Sequence, residues 1–520
     1  MKTLIVDRRE LLMGGAGLAL AASSLGRLVF GARAANASTP IAVDTRTLEV
    51  NGRAAEVYGL TQANGVAGIE ASAGSAFRVQ LINRLDHETL VHWHGLTPPI
   101  EQDGVPELSQ PALKAGGTYS YDFMLERPGT YWMHSHVGLQ EQKLHAAPLI
   151  VVDPAEAGID EQSVTVLLHD FTFKDPAEIL EKLRAGGNAG HGGAGMSAGG
   201  TGMGMGMKHM GGDGTGMAGG MMGGKAGSGH GGEMEPGGGT MPEGMSMGMM
   251  NMDLNDIEYD AYLANDRTLS DPEVVPVEPG AKVRLRIINA AASTNFVVDL
   301  GAIEGVLIAV DGQSIVPVSG HRFEIAIAQR LDVRLTVPKG AGGYPILAVR
   351  EGDQARTGVI LATKTGVVKK LAETGDFKAP PVRLGLEKRL RAQKSLAARP
   401  VDRRLVLDLT GSMAAYRWSL NGRVYENREP LMVGENERVE IVMRNKTGMA
   451  HPMHLHGHVF QVVAINGKRF AGAMRDTVIV PPMGQVVIAL DADNRGRWAF
   501  HCHNLYHMAS GMFTTLEYLA

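Results

Sequence analysis

Four short segments gather more than half of the histidine in this chain, and they constrain it more than anything else in its 520 residues. They are His92-Trp93-His94-Gly95, His134-Ser135-His136, His451-Pro452-Met453-His454-Leu455-His456, and His501-Cys502-His503 followed by His507 and Met512. Each His-x-His sets two imidazoles on one face of an extended strand, about 7 Å apart, because side chains alternate with a period of two. A single such pair is most simply a solvated or internally satisfied one. Five in one chain, with the lone thiol Cys502 between two of the histidines, point instead to metal.

The ligand types narrow the choice of metal. A closed zinc site is a tetrahedron of N and S ligands, and a single thiolate among ten imidazoles with a trailing methionine fits it poorly. One Cys, two His and a distant Met form the ligand set of a blue-copper electron-transfer site, whose weak axial thioether helps to set the potential. Cys502, His507 and Met512 supply three of these from one loop, and another histidine must come from elsewhere. The remaining imidazoles are a surplus for other coppers. On the last strand Cys502 faces one way and His501 and His503 the other, so one backbone segment can join two metal sites.

The scaffold reads as all-β. Short β-branched or alternating runs (Ala76 to Ile82, Thr118 to Phe123, Leu149 to Val152) are separated by Gly, Pro and Asn, the pattern of a small sandwich or Greek-key barrel. Similar runs recur at Val164 to Leu168, Lys282 to Ile288, Gly305 to Val310, Phe323 to Ile327 and Leu331 to Val337, and again at Arg438 to Met443, Phe460 to Ile465 and Val486 to Leu490. Three successive β domains, residues 44–155, 160–365 and 401–520, are the economical reading. A strandless, charged and Pro-containing linker, 366–400, joins the last two, and Pro176 to Arg184 is expected as a short helix.

The second domain is interrupted at about 186–252 by a tract of Gly, Met, Ala and Ser that also carries His191, His209 and His230. Gly-rich sequence has maximal backbone entropy to lose and, without aromatic or β-branched residues, little apolar area to offset it, so a disordered insert is expected. More than half of the 28 methionines fall there, where a merely flexible linker would use Ser, Gly and charges.

Residues 1–37 read as an export signal: Lys2, Arg8 and Arg9 precede an apolar run, Leu11 to Ala22, and small residues lead to a cleavage point after Ala37 or Ala34. Arg8-Arg9 followed by Glu10-Leu11-Leu12 resembles a twin-arginine signal, although Asp7 and Leu11 depart from its commoner residues. The run is short of the ~20 residues that span a bilayer, so no stable membrane anchor is expected. A single cysteine excludes a disulfide within one chain. A net charge of −5 offers no basic field for nucleic acid.

At the four histidine segments the sequence resembles the three-domain multicopper oxidases, the group of laccases, ascorbate oxidase and bacterial copper-resistance oxidases, over residues 47 to 520 apart from the insert. The resemblance implies cupredoxin-like domains and four coppers. His451, Cys502 and His507 would hold the type 1 copper with Met512 axial, and His92 and His454 the type 2 copper. The type 3 pair would take His94, His134 and His503 on one ion and His136, His456 and His501 on the other. Four one-electron oxidations of a donor, relayed through Cys502, would then be coupled to reduction of O2 to water at a cluster between the first and third domains.

Asp103 matches an acid that the family places near the cluster as a proton relay; the plainer reading is a turn aspartate before Gly104. The acid found directly after the last type 1 histidine in some relatives is replaced by Met508. His458 is expected to support a ligand and Asp476 to end a strand. The last segment looks most like that of the bacterial copper-resistance and laccase-like oxidases, and with the thioether-rich insert the resemblance implies a periplasmic cuprous oxidase in copper tolerance, exported by the twin-arginine machinery. The alternatives are a laccase-like oxidase of phenols, aromatic amines or Mn(II), and a non-enzymatic periplasmic copper-sequestering protein.

Overall fold

Strand Ala76–Asn83 alternates half-buried and buried positions along its whole length, turning Phe77, Val79 and Leu81 inward. It lies parallel to Thr39–Val50 and antiparallel to Thr118–Met124 in a four-stranded sheet closed at its other edge by Arg53–Gln62. A second four-stranded sheet (Ile69–Ser72, Ala146–Val152, Gly129–Ser135 and Val91–His94) shares one apolar core with it, in which Ile41, Leu81, Trp93, Tyr131 and Leu149 are buried together. Two sheets closing over a common core make a sandwich, and each fully buried aliphatic side chain in it contributes about 1.5–3 kcal/mol.

The same plan recurs twice. A six-stranded sheet including Gln162–Phe171, Lys282–Asn289 and Arg330–Thr336 shares its core with a five-stranded one around Phe296–Asp299 and Gly343–Arg350. In the last third, a seven-stranded sheet containing Arg438–Asn445, Gln485–Asp491 and Phe460–Ile465 packs against a five-stranded sheet containing His451–Leu455, Arg497–Cys502 and Phe513–Tyr518. The α-helices among the described residues are short: Pro176–Arg184, capped by Asp175, and Leu505–Ala509, capped by Asn504. This computed structural model describes residues 38–186 and 254–519; the export segment, the Met/Gly-rich tract beyond Gly186 and His191, His209 and His230 lie outside the described residues.

Two details differ from the sequence reading. The strands that carry the histidines stop early: Gly129–Ser135, His451–Leu455 and Arg497–Cys502 end just before His136, His456 and His503. Only His92 and His94 share one strand as a complete pair. The other second histidines sit at strand ends, where side chains from several strands converge. The segment 366–400, read as a connection, carries no strand but is not a loose linker. Val382 and Leu384 are buried in the core of the last third, and Leu386 and Leu390 in that of the middle third.

Candidate metal centre

Sheet register brings the histidines together. His92 pairs with His134 across one ladder, and His454 pairs with His501 across another. The ends of these two sheets abut, so eight imidazoles from opposite ends of the chain fall into one cluster: His92, His94, His134, His136, His454, His456, His501 and His503. His92 stacks on His456 and His94 on His454, both at 3.8 Å between ring centroids. Gly104 lets the turn that carries Asp103 close against the strand of His92, since at φ +82 a Cβ there would lie 1.8 Å from the carbonyl oxygen of Val91.

The hydrogen bonds fix which nitrogen faces the middle. His92 Nδ1 donates to the Asp103 carbonyl at 2.7 Å, His454 Nδ1 to the Asp476 carbonyl at 2.9 Å, and His501 Nδ1 to the Cys502 carbonyl at 3.0 Å. His456 Nδ1 donates to Asp103 Oδ2 at 2.8 Å, and His94 Nε2 to Asp476 Oδ1 at 3.2 Å. The opposite nitrogens meet one another. His456 Nε2 lies 3.1 Å from His501 Nε2, and His134 Nε2 lies 3.3 Å from His503 Nε2 and 3.4 Å from His94 Nδ1. His92, His136 and His454 each leave a buried Nε2 without a partner. With the protons on the outward nitrogens, inward lone pairs point at one another, an arrangement that repels unless cations lie between them.

Burial, and after it the neighbouring histidines, hold His94, His134, His136, His454, His456 and His503 well below the ordinary imidazole value, and burial brings His501 down to about 4. These rings are neutral at pH 7, the form that binds metal.

A second group lies within the last third alone. Cys502 Sγ is 3.7 Å from His451 Nδ1 and 3.8 Å from His507 Nδ1, and these two nitrogens are 3.2 Å apart. Asn504 caps the short helix by accepting from the backbone N–H of Tyr506 and of His507, which fixes the start of the turn that carries His507. Thr447 Oγ1 lies 2.8 Å from His451 Nε2, and Asp256 Oδ2 lies 2.9 Å from His507 Nε2, so here too each outward nitrogen faces an oxygen. Met512 is fully buried; its carbonyl accepts from the Cys502 N–H and its N–H donates to the His507 carbonyl. Burial pushes the Cys502 thiol up, so its deprotonation calls for a cation. Three imidazole and thiol donors converging with their lone pairs inward suit a soft ion such as copper.

Every residue read from the sequence as a ligand thus falls into one of these two groups or, as Met512 does, beside one. Asp103 closes the turn Ile100–Gln102 before Gly104, and its carbonyl and Oδ2 accept from the cluster histidines His92 and His456. His458 donates to the carbonyl of His456 and so supports a cluster residue. Asp476 is the bend between strands Met474–Arg475 and Thr477–Val480, yet it is 2 % exposed and touches both His94 and His454. The sequence reading passed over Glu141, whose Oε2 is 3.0 Å from His134 Nδ1, and Asp256 and Thr447 beside the Cys502 group. Only the position of Glu141, shortly after His-Ser-His, was a usable signal.

Profiles described as "Multicopper oxidase" match residues 42–156, 162–367 and 398–519. The chain is 32% identical over 471 residues to multicopper oxidase MmcO of Mycobacterium tuberculosis, covering 88% of this chain and 83% of that one. It is 26% identical to copper resistance protein A of Escherichia coli, over 98% of this chain and 99% of that one. Among solved structures, the laccase from Botrytis aclada superposes with a TM-score of 0.69 at 21% identity, over 92% of this chain and 88% of that one, a likeness of fold.

Proposed function

The chain belongs to the multicopper oxidase family, all-β and cupredoxin-like, oxidoreductases that hold four coppers and use O2; from that premise we propose which residues hold the metal and which donor feeds it. His451, Cys502 and His507 hold the type 1 copper with Met512 axial, and His92 and His454 hold the type 2 copper. His94, His134 and His503 hold one type 3 ion, and His136, His456 and His501 the other. The close approaches of His134 to His94 and His503, and of His456 to His501, support this division. Bound copper supplies one-electron oxidation of the donor and four-electron reduction of O2 to water. The three domains are residues 44–155, 160–365 and 401–520, and the ligands come from the first and the third.

The protein's own part is orientation and protons. The carbonyls of Asp103, Asp476 and Cys502 fix the tautomers of three histidines, and carboxylates fix two more. Asp103 Oδ2 is committed to His456, while its buried Oδ1 accepts no hydrogen bond and is the atom where a proton can be held for O2 reduction. His501-Cys502-His503 joins the two metal groups through one stretch of backbone, which a copper store without turnover would not need.

The donor we assign is Cu(I), in copper tolerance in the periplasm, reached by twin-arginine export of the 1–37 segment. One observation carries the choice of donor: the edge of His507 is closed. The His507 and Asp256 side chains have no exposed area, and Tyr416, which donates to Asp256 Oδ2 at 2.6 Å, and Trp418 cover the ring. A bulky phenol has no approach to that imidazole. The methionine-rich tract agrees, because thioethers favour Cu(I) over harder ions.

Deleting residues 186–250 from the copper-loaded protein tests this. Folding should be little changed, since loop closure depends weakly on length. Cu(I) oxidation, followed as O2 uptake under a competing chelator, should fall, while oxidation of a bulky phenol stays level or rises. Equal Cu(I) rates with and without the tract, or faster turnover of a phenol or Mn(II) by the intact protein, move the assignment to a laccase-like oxidase, and absence of turnover with every donor moves it to copper storage.

A further inference from the structure

The middle third of the chain contributes no histidine to either metal group, yet one of its side chains reaches the cluster. Arg330, the first residue of strand Arg330–Thr336, is completely buried. Its Nη1 donates to Asp476 Oδ1 at 2.8 Å and its Nη2 to Asp476 Oδ2, a two-pronged grip that fixes the carboxylate plane. Its Nε donates at 3.1 Å to the carbonyl of Thr130, on the strand that carries His134, and Nη1 also reaches the Ala328 carbonyl at 3.0 Å.

The gripped carboxylate holds histidines from both ends of the chain. Asp476 Oδ1 accepts from His94 Nε2, its carbonyl accepts from His454 Nδ1, and Thr477 Oγ1 donates to Oδ1 at 2.9 Å. The arrangement continues away from the cluster as an alternating row of buried charges: Asp311 accepts from the Arg330 backbone N–H and from Arg475 Nη1, and Arg475 Nε donates to Glu387 at 2.7 Å. Gly95 shows how tightly the grip is built into the histidine motif. At φ +89, a Cβ there would lie 2.4 Å from Arg330 Nη2 and 2.8 Å from Asp476 Oδ2. The glycine that ends His-Trp-His-Gly leaves room for this arginine.

We propose that Arg330 is a positioning residue for the copper cluster: by fixing both oxygens of Asp476 it sets the orientation and tautomer of His94 and the seat of His454, so that a region without ligands governs how the cluster binds copper. The inference rests on the assignment of His94 and His454 as type 3 and type 2 ligands. A metal-bound imidazole whose outward N–H is held by a carboxylate is a stronger and better aimed ligand, and loss of such a partner typically costs about 10- to 100-fold in metal affinity.

The test compares Arg330→Met, Arg330→Lys and Glu387→Gln with the wild type in the full-length, copper-loaded protein. Copper per chain is measured after a graded chelator challenge, with the electron paramagnetic resonance signal of the type 2 site and the blue band of the type 1 site as separate readouts. Wild type lacking four coppers or the type 2 signal removes the ligand assignment itself, before any variant is considered. With wild type intact, Arg330→Met should lose cluster copper about 10- to 100-fold more readily and keep the blue band. Arg330→Lys retains the charge without the fork, so it should fold even where the Met variant does not, and should show an altered type 2 signal. Glu387→Gln breaks the far end of the row, so its unfolding midpoint should fall with the type 2 signal unchanged. Wild-type copper retention and signal in Arg330→Lys, or an equal change in Glu387→Gln, would overturn the proposal.

Discussion

The two metal groups are built in opposite ways. The ligands of the Cys502 group come from one region of chain: His451 stands on one strand, and Cys502, His507 and Met512 follow one another around the short helix capped by Asn504, although Asp256 reaches His507 from the middle third. The eight-histidine cluster is assembled from four separated segments, and its rings are aimed by Asp103, Glu141 and Asp476 from three further places, the last held by Arg330 from a fourth. The lesson is one of vulnerability. A change to the local group should stay local, while the cluster should respond to residues far from it in sequence.

The largest expected effect breaks the local group outright. Cys502→Ser removes the thiolate, so the blue colour and donor oxidation should be abolished while the cluster histidines still take up copper; metal analysis with visible spectroscopy checks both. Loss of all copper would mean that the two groups do not fold independently of one another's metal.

Asp103→Asn probes the cluster from its edge. The amide keeps the shape and an acceptor for His456 but holds no proton at neutral pH, so copper content should persist while O2 reduction slows by about 100-fold or more. Single-turnover reoxidation of the reduced protein measures it. An unchanged rate would leave Asp103 with its turn and its hydrogen bonds alone.

Met512→Leu should be gentler: the type 1 potential rises and the blue band survives, because an axial thioether is a weak ligand that stabilises Cu(II) only slightly. Redox titration of the blue band decides it, and an unmoved potential would show that Met512 is not axial. The smallest effect is on stability. Asn504→Ala deprives the Tyr506 and His507 N–H groups of their acceptor and should cost about 1 kcal/mol in denaturant unfolding, with the cluster's signals unmoved. A shift in those signals would show that the groups are coupled through the helix as well as through the strand that joins them.

How legible the molecule was follows the same division. Short β-branched, apolar runs bounded by turn residues placed strands such as Gly305–Val310 and Phe460–Ile465 to the residue, because such side chains suit a pleated, buried surface whatever surrounds it. The helix expected at Pro176–Arg184 is present, and the structure shows the proline opening it behind an Asp175 cap. The segment 366–400, read as a connection, carries no strand, and its packing was not legible because irregular backbone has no period and its buried residues show themselves only against the two cores they fill.

By itself, the sequence determined the donor chemistry: which side chains can bind a soft metal, that a thiol lies between two imidazoles, and that the scaffold is β, because each of these is carried by residues close together in the chain. Tertiary structure alone decided what orients them. That Asp476 is more than a strand end, that Asp256 touches His507, and that Arg330 crosses from a ligand-free region to grip Asp476 depend on contacts between segments more than a hundred residues apart, and a carboxylate or guanidinium carries no mark in sequence of the partner it will meet once water is excluded.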